Sequence, residues 1–526
     1  MSYRVLIPTA GTGSRLLQAT RHLNKSLVSV GNRPAISHLI EQFAIDAEFV
    51  IALGHKGKLV REFLTLAYPD RIFQFVEVEP FEGPGSGLGL TVLKCANLLR
   101  EPFIFSSCDT LTRSHIPQPD HNWMAYGRSV DLAPYRTVAV SAGKVDAILE
   151  KGELSNTASV EGRFPYIGLA GIRDIEAFWS EMESGGATTI ERGESHGLRA
   201  LVETGMRAYE MDWSDTGTPS NFESTRVKYH VPNSPNILEK PNEAIWFVNG
   251  TVIKFSADET FIKNRVARSN ALSGYVPKVD GATAHMYRYA EVKGRVLSRA
   301  INAPLFEKFL RVATEFWLPA SIDDAAMKAF ERASLVFYRD KTFERVEQFY
   351  RTFDRADGPL SVNGRSMPSL RDLLQVVNWD SLKRGIPVRF HGDFHFENIL
   401  YEPDADSFTF LDWRQDFAGS LEVGDLYYDL AKLNHGLIIA HDLIIKNAFN
   451  VTWTASGIEF DFLRKQALVA CERRLEEFVL ERGLELVRMK QLTALIFLNI
   501  AALHHDPYCQ LLYGLGKSML FDSLEN

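Results

Sequence analysis

HGDFHFENIL (residues 391–400) and, shortly after it, FTFLDWR (408–414) decide the reading of the second half of this chain. Asp393 and Asn398 are five residues apart, and Asp412 follows Asn398 by fourteen. A loop carboxylate with an amide and a second carboxylate at that spacing puts one base and two hard metal ligands around a nucleotide phosphate tail. Upstream, Lys254 in VIKF (252–255) is placed to pair with the α- and β-phosphates, and Glu291 opens EVKG (291–294), a candidate hinge beside the nucleotide base. His391, His395 and Glu397 read most plainly as loop residues. Asp425 and Asp429 in GDLYYDLAKL (424–433) read as helix-start residues whose plainest role is capping.

From about residue 301 to the end the pattern is mostly helical. Before it, IWFVNGTVIKF (245–255) sets two β-rich runs about Asn249–Gly250, a dipeptide suited to a type I′ turn because both central residues need positive φ. YHVPNSPNILEKPNE (229–243), with three prolines and three asparagines, reads as a linker. The first 110 residues alternate strands (Arg4–Thr9, Glu48–Leu53, Ile72–Val78, Phe103–Ser106) with helices (Ile36–Phe43, Lys58–Ala67, Leu88–Leu99). This alternation predicts an α/β fold with a doubly wound, Rossmann-like parallel sheet that collects ligands beyond the carboxyl ends of its strands. The expected organisation is a domain over 1–228, a linker over 229–243 and a second domain over 244–526.

Composition narrows the classes further. With 526 residues, 58 Lys+Arg against 66 Asp+Glu (net −8) and 45% hydrophobic content, the chain is neither disordered nor fibrous. Its mild acidity argues against coating nucleic acid. Cys95, Cys108, Cys471 and Cys509 are too few and scattered for a disulfide framework or a Cys-rich zinc site, which fits a reducing, cytoplasmic setting. The N-terminus does not read as a secretory leader, and no apolar run is long enough for a membrane span. The longest candidate, Leu437–Ile445, is interrupted by His441 and Asp442 and reads as a buried helix. The expected partners are small molecules and nucleotides, and a homo-oligomer is compatible with the sequence.

TAGTGSRL (9–16) follows the first predicted strand. Its small residues let backbone N–H groups approach phosphate oxygens, and Arg15 adds a positive fork. It fails as a dinucleotide fingerprint because Leu16 stands where a third glycine belongs. Lys25 in NKSLVSVGNRP (24–34) supplies a second cation. Asp109 in SSCDT (106–110) and Asp215 in WSDTGTP (213–219) supply two carboxylates, enough for Mg²⁺ when phosphate oxygens complete its shell.

Together these residues resemble the nucleotidyltransferases that activate sugar phosphates and phosphocholine, over residues 1 to about 228. The resemblance implies that Gly11, Thr12, Gly13 and Arg15 cradle a triphosphate, that Lys25 stabilises charge on the α-phosphate, and that Asp109 and Asp215 hold the metal. It also implies that Lys151 in ILEKG (148–152) and Gly168 in PYIGLAGI (165–172) lie at the acceptor, and that GPGSGLGL (83–90) lines the base and acceptor pocket. Two departures stand out: Asn24 replaces the usual proline before the lysine, and Thr9 replaces alanine at the start of the loop.

Residues 244–526 resemble the aminoglycoside phosphotransferase and choline kinase family, whose fold is kinase-like (α+β) and two-lobed. The lobes are expected over 244–300 and 301–526. By that resemblance Asp393 accepts the proton of the substrate hydroxyl, Asn398 and Asp412 coordinate Mg²⁺, and Lys254 and Glu291 bind ATP. FIKNRVARSNAL (261–272) offers no glutamate partner for Lys254, leaving Glu259 as the nearest candidate.

The combined expectation is a bifunctional enzyme. A kinase domain phosphorylates a small hydroxyl metabolite with ATP. A nucleotidyltransferase domain then joins the phosphate to CTP, GTP or UTP, giving a nucleotide-activated sugar or related capsule or surface-polysaccharide precursor and pyrophosphate. Besides two uncoupled activities, with the kinase acting on an unrelated substrate such as an antibiotic, two further alternatives remain open on sequence. One is an amino-alcohol pair, a choline kinase with a CTP-dependent cytidylyltransferase, for which Trp413, Tyr427 and Tyr428 would form a cation–π cage. The other is a nucleotide-binding regulatory protein with a degenerate domain.

Overall fold

A computed structural model describes residues 3–129, 131–151, 162–231 and 240–525. Along β1 (Arg4–Pro8) the pleat sends Val5 and Ile7 to one face and Leu6 to the other, and all three are fully buried. A strand apolar on both faces belongs inside a parallel array. β1 indeed pairs in parallel with β2 (Glu48–Leu53), which pairs in parallel with β3 (Phe73–Glu77); the other side of β1 pairs in parallel with β4 (Phe103–Ser106). Helices α1 (Ala35–Ile40) and α2 (Gly57–Ala67) pack on one face. Helices α3 (Leu88–Lys94), α4 (Ile175–Ser184) and α5 (Glu194–Val202) pack on the other.

Beyond β4 the sheet is mixed, antiparallel except where the strand at 207–210 pairs in parallel with that at 123–126. β6 (Trp123–Tyr126), β7 (Thr137–Ser141), β8 (Lys144–Leu149), β9 (Arg163–Ile172) and β10 (Arg207–Glu210) complete the order β3-β2-β1-β4-β9-β6-β10-β8-β7, with β9 antiparallel to β4. The all-parallel sheet expected from the alternation therefore covers only the first four strands. β7 and β8 are joined by the tight Ala142–Gly143 turn, where φ is +47° and +74°, and so short a link joins only antiparallel strands. Between β4 and β6 lies β5 (Thr110–Thr112). It forms a separate two-stranded ladder with β11 (Trp213–Asp215), which leads into α6 (Pro219–Lys228).

The predicted hairpin forms from β12 (Glu243–Val248) and β13 (Thr251–Ser256), with φ +50° at Asn249 and +70° at Gly250, as a type I′ turn requires. With β14 (Val279–Ala282) and β15 (Met286–Ala290) it makes a four-stranded sheet in the order β12-β13-β15-β14. This sheet packs into the N-terminal core. The fully buried Trp246 ring meets Phe63 at 5.3 Å, and its Nε1–H donates to Ser29 Oγ at 2.9 Å. Glu62 accepts from Thr283 Oγ1 at 2.7 Å and from the His285 N–H at 3.0 Å. By contacts the chain divides into Met1–Glu259 with Asp280–Glu291, and Thr260–Val279 with Val292–Asn526. The expected linker lies in part (232–239) outside the described residues.

In the second unit, α7 (Glu259–Ala271, counted here from Thr260) is followed by a largely helical chain. α8 (Asp324–Leu335) runs through a π-helical turn (Val336–Asp340) into α9 (Lys341–Thr352). A hairpin of β16 (Ile399–Glu402) and β17 (Ser407–Phe410) precedes α10 (Leu426–Ile438). The single buried helix expected over Leu437–Ile445 is broken: α10 ends at Ile438, Ile439 and Ala440 are extended, and a short helix starts at His441. Among the described residues no helix is long and apolar enough to cross a membrane.

Candidate active sites

The first site forms where β1, β4 and β11 end. Gly13 takes φ +66° before a 3-10 turn over Ser14–Thr20, and a Cβ there would meet Lys25 Cβ at 2.9 Å, so the glycine lets the loop lie against Lys25. A Cβ on Gly11 would meet nothing within 4 Å, and Arg15 is exposed beside it. The two departures from the family pattern have a physical use. The Thr9 hydroxyl donates to the Ala52 carbonyl at 2.8 Å. The buried Asn24 amide donates to the carbonyls of Thr9 (2.9 Å) and His55 (2.7 Å) while its oxygen accepts from the Ser26 N–H (2.9 Å). Asn24 thus ties the loops after β1 and β2 together and caps the turn that carries Lys25.

Lys25 Nζ lies 3.0 Å from Asp109 Oδ2, and Ser107 Oγ donates to Asp109 Oδ1. Burial alone would push the Asp109 carboxyl up; Lys25, with the Ser107 hydroxyl, reverses this and holds it at about 2. Asp215 Oδ1 accepts from the Gly217 N–H at 2.6 Å, and Oδ2 from Asn221 Nδ2 at 2.7 Å and the Tyr135 hydroxyl at 3.2 Å. A Cβ built on Gly217 would meet Asp215 Oδ1 at 2.9 Å and Asp109 Oδ2 at 3.3 Å, so the two carboxylates converge on one spot. Gly168, at φ +74°, accepts from the Ser107 N–H at 2.7 Å and so borders the Asp109 loop. Lys151 is pulled below the usual lysine range by burial and by Arg15 and Arg136, opposed by Asp109 and Asp215. Its neighbour Glu150 faces elsewhere, into ion pairs with Arg136 (2.9 Å) and Arg199 (2.6 Å). Of GPGSGLGL, Gly87 and Gly89 pack against the backbone of Ile190 and Thr189, while Gly83 and Gly85 stand in open space.

The second site is built on the HGDFHFENIL loop. The β16–β17 hairpin pairs Ile399 with Phe410, and the Leu411 N–H donates to the Asn398 carbonyl at 2.7 Å, so Asn398 and Asp412 flank the open end of one hairpin. Asn398 Nδ2 donates to Asp393 Oδ2 at 3.1 Å, which leaves its oxygen as the group for a cation. Asp412 sits at φ +56°, an uncommon conformation for a residue with a side chain, and Arg265 Nη1 reaches its Oδ1 at 3.0 Å. Both sites therefore offer hard oxygen groups, in keeping with Mg²⁺. Among the described residues no cage of three or more His, Cys, Asp or Glu forms, so each ion would depend on phosphate oxygens.

Two residues of α10 complete this site. The fully buried Asp429 accepts from the His391 N–H (2.7 Å), the Gly392 N–H (2.7 Å) and Trp317 Nε1 (3.1 Å), with burial pushing its carboxyl up to about 6. It anchors the HGDFHFENIL loop, whereas Asp425 is the helix cap, accepting from the Tyr427 N–H at 3.1 Å. Lys432, one helical turn beyond Asp429, lies 2.8 Å from Asp393 Oδ1. Burial raises the Asp393 carboxyl, but Lys432 and His395 carry it well below the usual range. The sequence signal for this pair was the i, i+3 spacing of Asp429 and Lys432 on one helix face.

Lys254 is buried mid-strand in β13, with Tyr289 at 5.9 Å, and exposed Glu291 donates its N–H to the Gly250 carbonyl at 2.8 Å; both belong to the first contact unit. Glu259 pairs with Lys58 and His285, each at 3.3 Å. α7 contributes Arg265 to Asp412 and Arg268 to the carbonyls of Phe390, Arg414 and Leu421. The aromatic cage does not form. Trp413 is fully buried and donates to the Arg265 carbonyl at 2.9 Å, the Tyr427 hydroxyl accepts from the Glu485 N–H at 2.9 Å, and Tyr428 packs on Phe337 at 4.7 Å.

Residues 325–442 match the phosphotransferase enzyme family, APH. The second half of the chain carries an APH phosphotransferase domain. The matched stretch contains Asp393, Asn398, Asp412 and the α10 residues, and excludes Lys254 and Glu291. The N-terminal region matches sugar-phosphate nucleotidyltransferases. It is similar to the bifunctional protein GlmU of Methanococcus vannielii, at 24% identity over 223 residues, 41% of this chain and 52% of that protein. It is also similar to glucose-1-phosphate cytidylyltransferase of Salmonella typhi, at 23% over 189 residues, 31% of this chain and 73% of that protein. The chain thus spans about half the length of the first of these relatives. Among solved structures it is similar to UDP-glucose pyrophosphorylase from Acinetobacter baumannii (19% identity, TM-score 0.35, 44% of this chain and 93% of that one). CTP:phosphocholine cytidylyltransferase from Streptococcus pneumoniae gives 14%, 0.36, 43% and 99%.

Proposed function

We propose that this chain is a two-step enzyme: the APH domain phosphorylates a small hydroxyl metabolite with ATP, and the N-terminal domain joins that phosphate to a second nucleoside triphosphate. In this reading the nucleotidyltransferase takes residues 1–228 and the phosphotransferase 244–526 in two lobes, although by contacts the hairpin at 243–256 packs with the first unit. The observation that carries the reading is that one chain holds two separate carboxylate–lysine centres, Asp109/Asp215 with Lys25 and Asp393 with Lys432.

In the first step the acceptor oxygen attacks the γ-phosphorus, the bond to ADP breaks, and Asp393 takes the hydroxyl proton. Lys432 fixes the orientation of Asp393 and keeps it ionised. Lys254 and Glu291 serve the ATP phosphates and base. In the second step an oxygen of the new phosphate attacks the α-phosphorus and pyrophosphate leaves. Gly11, Thr12, Gly13 and Arg15 receive the triphosphate, Lys25 offsets charge on the α-phosphate, and Lys151 and Gly168 border the acceptor phosphate. Asp109 with Asp215, and Asn398 with Asp412, would hold Mg²⁺, which neutralises phosphate charge when bound. The product is a nucleotide-activated sugar or related surface-polysaccharide precursor.

Phosphorus NMR of the full chain with ATP, each of CTP, GTP and UTP, and a panel of acceptors tests this. Asp393→Asn should abolish only the first step and Asp215→Asn only the second. Loss of both steps in either variant, or no pyrophosphate with any pair, refutes it.

A further inference from the structure

Asp393 lies in an excess of positive charge. α8 and α9 form one helical run interrupted by the π-turn Val336–Asp340, a local widening that re-aims side chains and recurs at functional sites. The turn presents Phe337 to two cations: Lys341 Nζ lies 4.5 Å and Arg414 Cζ 4.7 Å from its ring centre. Among the described residues neither Lys341 nor Arg414 enters an ion pair, and Arg414 Nε is buried without a hydrogen-bond partner. Lys432, the third cation, has Asp393 as its partner. Burial and the charges of Arg414, Lys432 and Arg345 push the Lys341 ammonium down to about 7, with Asp393 as the opposing carboxylate. Lys341, Arg414 and Lys432 thus repel one another beside a single carboxylate, an arrangement that a bound anion relieves.

We infer that the hydroxyl acceptor of the phosphotransferase domain is itself an anion, whose carboxylate or phosphate docks on Lys341 and Arg414 beside the Asp393–Lys432 pair. This deepens the two-step reading and rests on its first step. An ammonium acceptor would meet three cations, and the aromatic residues that might have caged it are packed into the core. The chemistry favours a hydroxy acid, a sugar acid or a phosphate-bearing polyol. Lys341 and Arg414 act as specificity-determining residues. The reaction that supplies this substrate is then one that leaves an acidic group on a polyol, such as oxidation to an acid or an earlier phosphorylation.

The γ-phosphate of ATP is the other anion with this chemistry, and kinetics of the full chain separate the two. Matched acceptors are compared by ATP-dependent phosphomonoester formation: gluconate, glucose and glucosamine, and glycerate, glycerol and choline. The anionic member of a set should exceed its neutral and cationic partners in kcat/KM by roughly 10- to 100-fold, the range for a charge-assisted contact. Lys341→Met should raise the acceptor KM by at least tenfold with the ATP KM unchanged, and Lys341→Arg should restore most of the loss. A preference for neutral or cationic acceptors overturns the inference and leaves the two-step reading standing, as does a Lys341→Met effect on the ATP KM alone. Phosphomonoester with no acceptor in either set counts against the first step itself and takes the inference with it.

Discussion

Asp429→Ala tests whether a buried carboxylate on α10 holds the catalytic loop. The substitution strips the acceptor from three buried donors, the His391 and Gly392 N–H groups and Trp317 Nε1. At about 1–3 kcal/mol for each donor left unsatisfied, the loss is roughly 3–9 kcal/mol. Against it stands the cost of burying the ionised carboxylate. Its pKa is raised to about 6 from ~3.9 in an unfolded chain, which is worth roughly 3 kcal/mol. Because the folded value is the higher one, the stabilisation by Asp429 is fully present below about pH 4 and is partly lost as pH rises through 6. The variant should therefore be destabilised by roughly 6 kcal/mol near pH 4 and by about half that at pH 7.5. Urea unfolding at both pH values measures this. Kinase turnover should fall by about 100-fold as the loop shifts, while pyrophosphate release with a pre-phosphorylated acceptor stays unchanged. Stability within about 1 kcal/mol of the parent at both pH values, together with kinase turnover within threefold, would refute the anchoring role.

Gly217→Ala puts a methyl group 2.9 Å from Asp215 Oδ1 and 3.3 Å from Asp109 Oδ2; nucleotidyl transfer should fall by about 100-fold with the thermal midpoint little changed, as read by pyrophosphate release and calorimetry. Lys25→Met removes the charge that holds Asp109 at about 2. That stabilisation is present above the unfolded carboxyl value and lost as pH falls through 2, so acid unfolding should begin at higher pH in the variant, with nucleotidyl transfer down by about 100- to 1,000-fold. At Gly11 a methyl group meets nothing within 4 Å, so Gly11→Ala should keep its stability and raise only the KM for the nucleoside triphosphate. A fall in urea midpoint would instead assign Gly11 to the loop's own packing.

The parts legible in sequence were those with local signals. The doubly apolar β1, the turn chemistry of Asn249–Gly250 and the spacing of Asp393, Asn398 and Asp412 each declared themselves within a few residues. The mixed half of the sheet did not, because the pairing order of β6 to β10 follows from tertiary packing. Asp429 looked like a cap because a carboxylate in the first turn of a helix usually is one; its partners at 391 and 392 lie far upstream in the chain. Arg265 on Asp412 and Arg268 on three carbonyls needed the fold to bring them together.

Trp246, seated on Phe63 and Ser29, bears on whether the two activities can be traded as separate modules. Removing such a ring costs about 3–5 kcal/mol, so a gene cut at residue 244 would give a front half with an open core and a back half carrying a bare apolar sheet. A protease nick between 232 and 239 should leave two fragments that co-migrate until denatured. Recombination that moved the N-terminal unit alone would have to carry the β12–β15 sheet with it.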